Sequence, residues 1–263
     1  MPPLLSIITI NYNNGPGLER TFKSIFSQEY KNFEYLVIDG GSTDGSVEII
    51  NKHKSEITSS VSEKDSGIYN AMNKGIALAT GEYLLFINSG DELNGKSALN
   101  DVINTLSDAD LITCNLLVTE ANSERVKQYP ENPTFQYFLS DTFPHPATFI
   151  RKKLFALTNG YDESYKIVSD WAFFMIALFR FNVTHKHVPV TLSRFYTDGM
   201  SSIAENRKLV ASERARFISE QFPRFTNLVD EWNQGRKFRF IFENSRMIKI
   251  ARKLGFLKIP PEL

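Results

Sequence analysis

Asp91 lies in the stretch Glu82–Leu93, EYLLFINSGDEL, where a short apolar run turns abruptly polar. In open α/β sheets ligands collect just beyond the carboxyl ends of the strands. A carboxylate at such a point can hold a divalent cation against a diphosphate, and the preceding Gly90 lets backbone approach closely. The other reading is an ordinary strand-to-helix turn in which Asp91 caps the next element, and the stretch alone leaves both open. Asn11, Asp39, Asp44 and Asp65 each come after a strand-like run in the same way. Ser169 and Asp170 stand just before the apolar run Trp171–Phe181, where either can cap a helix.

These groups act together only if the chain brings strand ends to one edge. Leu4–Ile10, Phe33–Ile38, Ile57–Val61 and Tyr83–Ile87 read as strands, and the segments 18–28, 46–54 and 68–78 read as helices between them. Ser42 or Thr43 is expected to cap the second helix. Strands alternating with helices mean βαβ units and a parallel sheet. Beyond residue 95, a helix is expected over 97–106 and a strand over 109–117. Residues 118–129 read as a strand pair or an exposed turn, and 133–139 as a short helix. A strand at 145–150 enters a helix over 151–157 that ends at Asn159-Gly160. Two short strands, 183–188 and 190–196, are split by Pro189, and the loop 197–202 is a candidate lid. Helices at 205–221 and 225–234 come next.

Composition narrows the classes. The 263 residues are 42% hydrophobic, enough for one large α/β domain with an appendage. Thirty Lys and Arg balance thirty Asp and Glu, which argues against nucleic acid as a partner. The single Cys114, in an apolar run, fits a reducing compartment and a buried small side chain. Met1-Pro2-Pro3 leads straight into a strand without the basic start of a signal peptide. No run approaches the length of a membrane span. The glycine fingerprint of a dinucleotide fold is missing, since 11–17 offers only Gly15 and Gly17. Arg236–Lys258 interleaves eight basic residues with aromatic and aliphatic ones. That pattern reads as a solvated helix face, a peripheral contact with an anionic membrane surface, or a dimer contact.

The order SIITINYNN, YLVIDGGSTDGS, DSGIYNAMNKGIALATGEYLLFINSGDE and GYDESYKIVSDWAFF resembles the family 2 glycosyltransferases, over roughly residues 4–202. The segment around 68–92 looks most like enzymes that build capsule, colanic-acid-like or O-antigen polysaccharide. The resemblance implies a GT-A fold: a Rossmann-like α/β/α sandwich with a mostly parallel central sheet and a C-terminal helical extension. The nucleotide-sugar half would span 1–95, the acceptor half 96–203, and the extension 204–263. It implies inverting transfer from a nucleoside-diphosphate sugar, a UDP sugar above others, to a glycan or lipid-linked acceptor in the cytoplasm or on the inner membrane face.

By the same resemblance Thr9 and Asn11 lie against the nucleotide, and Asp39 meets the uracil edge. Asp65 lies near the base or ribose, and Lys74, Asn88 and Ser89 are further nucleotide-binding candidates, Lys74 as a contact to phosphate. Asp91 is the metal ligand for Mg²⁺ or Mn²⁺, with Asn88 standing where the family usually has a carboxylate. Asp170 is the general base, Ser169 taking the place of a common Glu. His145, Trp171 and Arg194 belong to the donor or acceptor pocket. Bland readings stand beside these: turn and cap for Asp39, Asp44 and Asp170, a solvated helix end for Asn73 and Lys74, a packed loop histidine for His145, core for Trp171. His185 and His187 share a strand face and read as surface or packing residues. The reduced motif Asn88-Ser89-Gly90-Asp91 also admits a binding module that has lost turnover. A nucleotidyltransferase would want a basic residue in the first loop, which is missing there.

Overall fold

The computed structural model describes residues 3–106, 109–120, 122–197 and 206–227, with single positions at 229, 231, 234 and 235. The chain divides into two compact units, 1–213 and 214–263. The candidate lid beyond Thr197 and the basic tail 236–258 lie outside the described residues.

The first unit opens with β1 (Leu5–Asn11), α1 (Gly15–Phe26), β2 (Phe33–Asp39), α2 (Ser46–Lys52), β3 (Ser59–Ser62), α3 (Ile68–Leu78) and β4 (Tyr83–Phe86). It continues with β5 (Glu92–Leu93), α4 (Asn100–Ile103), β6 (Leu111–Glu120), β7 (Ser123–Lys127) and α5 (Phe135–Ser140). Then come β8 (Thr148–Arg151), α6 (Phe155–Thr158), α7 (Ser169–Phe179), β9 (His185–Tyr196) and α8 (Arg207–Gln221), the last running into the second unit. The strands lie in the order β3-β2-β1-β4-β8-β6-β9-β5, with β7 paired to β6. β3, β2, β1 and β4 are parallel. β8 is antiparallel to β4 and β6, β9 is parallel to β6, and β5 is antiparallel to β9.

β1 and β4 are buried along their whole length and β2 nearly so, as continuous apolar strands covered on both faces must be. Register sets Asn11 beside Asp39 and Asp39 beside Ser62, so the polar residues end their strands on one line. Helix α3 lies close on this sheet through Gly75, where an added Cβ would stand 2.7 Å from Ile8 Cγ2. A buried carboxylate ties the opposite edge, since Glu34 accepts from Ser6 Oγ, Thr80 N and Thr80 Oγ1.

Several expectations need correcting. The helix expected over 97–106 is regular only at 100–103; tighter bonds such as Thr105 N to Val102 O and Leu106 N to Ile103 O come after it. Neither Ser42 nor Thr43 caps α2, whose cap position is Gly45. Asp44 does the ordering there: Oδ1 accepts from Ser46 N and Oγ, and Oδ2 from Gly15 N at the start of α1. Ser169 and Asp170 do not cap α7 but form its first turn after Val168. The two strands expected around Pro189 are one, β9. Its pairing with β6 passes from Val188 to Thr191, so Pro189 sits in a bulge where no ladder donor is needed.

Gly75→Val is expected to lower unfolding free energy by about 1–3 kcal/mol through overpacking, read as a fall in the urea midpoint. A variant as stable as the wild type removes the close approach of α3 and β1.

Candidate active site

The turn after β4 is held by α1. Asn14, the N-cap of α1, donates from Nδ2 to Ser89 O at 3.0 Å, while its Oδ1 accepts Gly17 N. Thr21 Oγ1 donates toward Asp91 O at 2.7 Å and accepts Gly90 N at 3.0 Å, and Arg20 Nε reaches Gly90 O. Gly90 takes φ +108°, a conformation that favours glycine. Asp91 is thereby placed just past β4 with 9% of its surface exposed. The Asn88 Oδ1 beside it in sequence is buried with no hydrogen-bond partner among the described groups. An orphaned amide oxygen and a carboxylate in one turn are hard-oxygen donors of the kind that suits Mg²⁺ or Mn²⁺ sharing ligands with phosphate oxygens. Among the described residues no three His, Cys, Asp or Glu side chains form a complete metal cage.

The loop after β2 is built around Asp39, which is fully buried. Its Oδ1 accepts from Asn11 Nδ2 (2.8 Å) and Ser42 Oγ (2.6 Å). Its Oδ2 accepts from Gly41 N, Ser42 N and Ser62 Oγ. Burial opposes ionisation, yet the bonds from Ser42, Ser62 and Asn11 outweigh it and hold the carboxyl below its usual range. A base edge reaches Asp39 only by displacing one of these donors. Next to it, Gly40 is flanked by the Tyr12 ring and Asp65 Oδ2, both 3.1 Å from where a Cβ would stand. Tyr12 is 67% exposed, unusual for a tyrosine at a strand end, and offers a flat face for a planar ligand. Sequence reasoning passed over Tyr12; an aromatic residue directly after β1 was the available signal.

Asp170, on the first turn of α7, is partly exposed, and its Oδ1 lies 2.9 Å from the hydroxyl of Tyr69 on α3. His145, 8% exposed, stacks on Phe86 at 4.5 Å and bonds Tyr161 Oη at 2.7 Å. Burial pulls the His145 pKa down and the charge of Asp170 pushes it back. Desolvation and the same charge raise the Tyr69 and Tyr161 phenols well above their usual value. Asp170 is thus within electrostatic reach of His145, which lies against the end of β4, the strand that leads to Asp91.

The remaining expected residues are placed elsewhere. Thr9 is fully buried, and its hydroxyl is bonded to Ile87 O and Tyr35 Oη, so it links strands. Lys74 is paired with Asp65 and Glu63, so its charge is already neutralised locally and the phosphate role is not supported. Asn73 is no solvated helix end: it bonds both Tyr161 N and Tyr161 O. Trp171 is core, with Nε1 donating to Phe138 O at 2.8 Å, and is not a pocket wall. Arg194 pairs in register with Glu92, the residue after Asp91, and its side chain reaches Glu124 and Thr119. His185 and His187 both meet Thr113, and burial drives His185 down to about 4, as packing residues. Cys114 is buried and its thiol is pushed up to about 12 by desolvation, so it is no nucleophile. A groove of about 830 Å³ between α3 and α6 is lined by Asn73, Ile76, Arg151, Lys152, Phe155 and Glu163.

A family model described as Glycosyl transferase family 2 matches residues 6–170. An uncharacterized glycosyltransferase of Mycobacterium tuberculosis is 34% identical over 184 residues, 66% of this chain and 69% of that protein. The crystal structure of S. aureus TarS 1–349 in complex with UDP-GlcNAc superposes with a TM-score of 0.65 at 20% identity, covering 83% of this chain and 67% of that one. A mannosyltransferase from Pyrobaculum calidifontis in complex with GDP-Man and Mn²⁺ gives 0.65 at 16% identity, covering 88% and 69%. At these identities the two structures show a shared fold, the GT-A arrangement expected from the sequence.

Asp39→Asn is expected to cost roughly 1–3 kcal/mol at neutral pH, because it turns an acceptor surrounded by donors into a half-donor. The folded carboxyl titrates below its unfolded value of about 3.9. Its contribution is therefore present above about pH 4 and lost as pH falls through the folded value. Urea unfolding of both proteins should show the difference shrinking below pH 4; a constant gap would mean that Asp39 is not held as a carboxylate.

Proposed function

Since the chain belongs to glycosyl transferase family 2, we propose that this transferase moves a sugar from a nucleoside-diphosphate sugar, a UDP sugar first, to a hydroxyl of a glycan or lipid-linked acceptor in cell-surface polysaccharide synthesis. The observation that carries the reading is the Asp170 carboxylate, partly exposed and anchored through one oxygen. A UDP sugar and a GDP sugar with Mn²⁺ are bound by the two proteins of similar fold.

In this reading Asp170 accepts the proton of the acceptor hydroxyl while its oxygen bonds to the anomeric carbon. The bond from that carbon to the diphosphate breaks, and its electron pair stays on the diphosphate, so configuration inverts. Asp91 and Asn88 Oδ1 would hold the divalent cation, which when bound neutralises charge on the leaving diphosphate. Tyr12 stacks the base, and Asp39 with Asn11 keeps the loop beside it in shape. The whole arrangement leaves the acceptor side to Asp170 and the leaving-group side to the turn after β4.

A second reading, a nucleotide-sugar-binding module without turnover, is favoured by Asn88, an amide where the family pattern has a carboxylate. Among the described residues no helix is long and apolar enough to cross a membrane. Attachment to a membrane surface through 236–258, or pairing of two copies, belongs to the same proposal.

A panel of UDP and GDP sugars with Mn²⁺ or Mg²⁺, assayed by release of nucleoside diphosphate and by calorimetric binding, separates the readings. Asp170→Asn is expected to cut release by about 10²–10⁴-fold while the Kd for UDP stays unchanged; loss of both undoes the base assignment. Asp91→Ala is expected to weaken UDP binding only when Mn²⁺ is present. Binding of UDP sugars without any release by the wild type would establish the binding module instead.

A further inference from the structure

We infer that Tyr69 is a positioning residue that fixes which oxygen of Asp170 acts as the proton acceptor; this rests on the reading of Asp170 as the base. Tyr69 lies in the first turn of α3, 5% exposed, and no motif-level reasoning assigns it a task. Its hydroxyl contacts two groups from the segment entering α7, Ile167 O and, at 2.9 Å, Asp170 Oδ1. A phenol carries one proton, and both neighbours are acceptors, Ile167 O at 2.5 Å and Asp170 Oδ1 at 2.9 Å, so that proton is shared between the carbonyl and the carboxylate. Oδ1 is thereby occupied, and Oδ2 is the oxygen left for an acceptor hydroxyl.

Among the described residues Tyr69 is the side chain bonded to the Asp170 carboxylate. Among the described residues, His145 and Tyr161 also feel the charge of Asp170, and they are bonded to each other at 2.7 Å. Burial keeps the Tyr69 phenol protonated, so it stays a donor. The backbone it touches is fixed from the other side too: Glu213 accepts Lys166 N at 2.7 Å and Ile167 N at 3.1 Å. Tyr69 therefore bonds to a segment that Glu213 also clamps, and beyond its bond to Ile167 O the hydroxyl orients the carboxylate of Asp170.

During transfer Tyr69 exchanges no proton. The acceptor O–H bond breaks, its proton passes to Asp170 Oδ2, and the new O–C bond forms as the C–O bond to the diphosphate breaks. Oδ1, then the carbonyl oxygen of a carboxylic acid, still accepts from Tyr69. Without that bond the carboxyl group rotates, and both oxygens sample positions from which the acceptor proton is out of reach.

The test uses the full chain with Mn²⁺ and a UDP sugar that the wild type turns over, with water as acceptor. Tyr69→Phe keeps the ring and removes the hydroxyl. It is expected to lower kcat by about 10–100-fold, the scale of a misaligned catalytic group, with the donor KM and the Kd for UDP within twofold of the wild type. Rates are divided by the site concentration found from the UDP titration, so a partly unfolded preparation does not read as a slow one. Unchanged kcat in Tyr69→Phe, with Asp170→Asn inactive, leaves the base in place and overturns the positioning role. Asp170→Asn turning over normally overturns the base reading and this inference with it. A Tyr69→Phe defect that appears in UDP affinity instead of kcat assigns the hydroxyl to the donor pocket and also overturns it.

Discussion

Helix α3 reaches across to the segment 161–170 with a row of side chains, and the position of Asp170 depends on that reach. Asn73 pairs with Tyr161 N and O as a strand neighbour would, at 2.8 and 2.9 Å. Gly160, at φ +85°, makes this possible, because a Cβ there would stand 2.6 Å from Asn73 Oδ1. Asn73, Asn70 and Ser66 all donate to Glu163, and the bond from Asn73 leads in holding that carboxyl below its usual range. Tyr69 completes the row at Ile167 and Asp170. Each bond is worth about 1 kcal/mol net, but they share partners and act as a network. The inner face of α3 meets β1 through Gly75. A shift of the parallel sheet is therefore passed to Asp170 through one rigid element.

The carboxylates at the strand ends divide by what already surrounds them. Asp44 orders the starts of α1 and α2 together. Asp39 is enclosed by donors from its own loop, from β1 and from β3. Asp65 is paired with Lys74. These three brace the loops at the strand ends. Around Asp91 and Asp170 the backbone is fixed: α1 and its cap hold the turn of Asp91 through Thr21 and Asn14, and α3 with Glu213 holds the entry to α7. A group meant to meet a ligand gains from this arrangement, since preorganised backbone lowers the cost of ordering on binding.

The parallel half of the fold was legible because its signals are local. Helix α3 runs over 68–78 as its apolar spacing expects, and β1, β2 and β4 are the buried runs that the sequence displays. Boundaries failed where tertiary bonds compete with propensity. Ser42 lost its cap role because Asp39 takes its hydroxyl, leaving Asp44 to order α2. Pro189 did not split β9, since the ladder skips it. Within the site, the residues that stand at strand ends were readable by position, but their partners were not. Tyr69 and Asp170 are 101 residues apart, and no periodicity links them. Thr9, Lys74 and Arg194 were named for their type and place, while their partners inside the protein, Ile87 O, Asp65 and Glu124, left no mark in the sequence.

The amide at position 88 bears on how a cation would be held. Two or three carboxylates at the turn after β4 would repel one another whenever the site stood open, and a cation would be needed to relieve that. One carboxylate and one neutral oxygen carry less charge, so the turn can be set by α1 alone, through Thr21, Asn14 and Arg20. The same economy of charge weakens the hold on a bare Mg²⁺ or Mn²⁺, because affinity for these ions grows with the number of anionic ligands. The diphosphate then supplies the missing negative oxygens. In the proposed reading, cation and donor bind as a pair, and the buried Asn88 Oδ1 is an acceptor whose partner arrives with them.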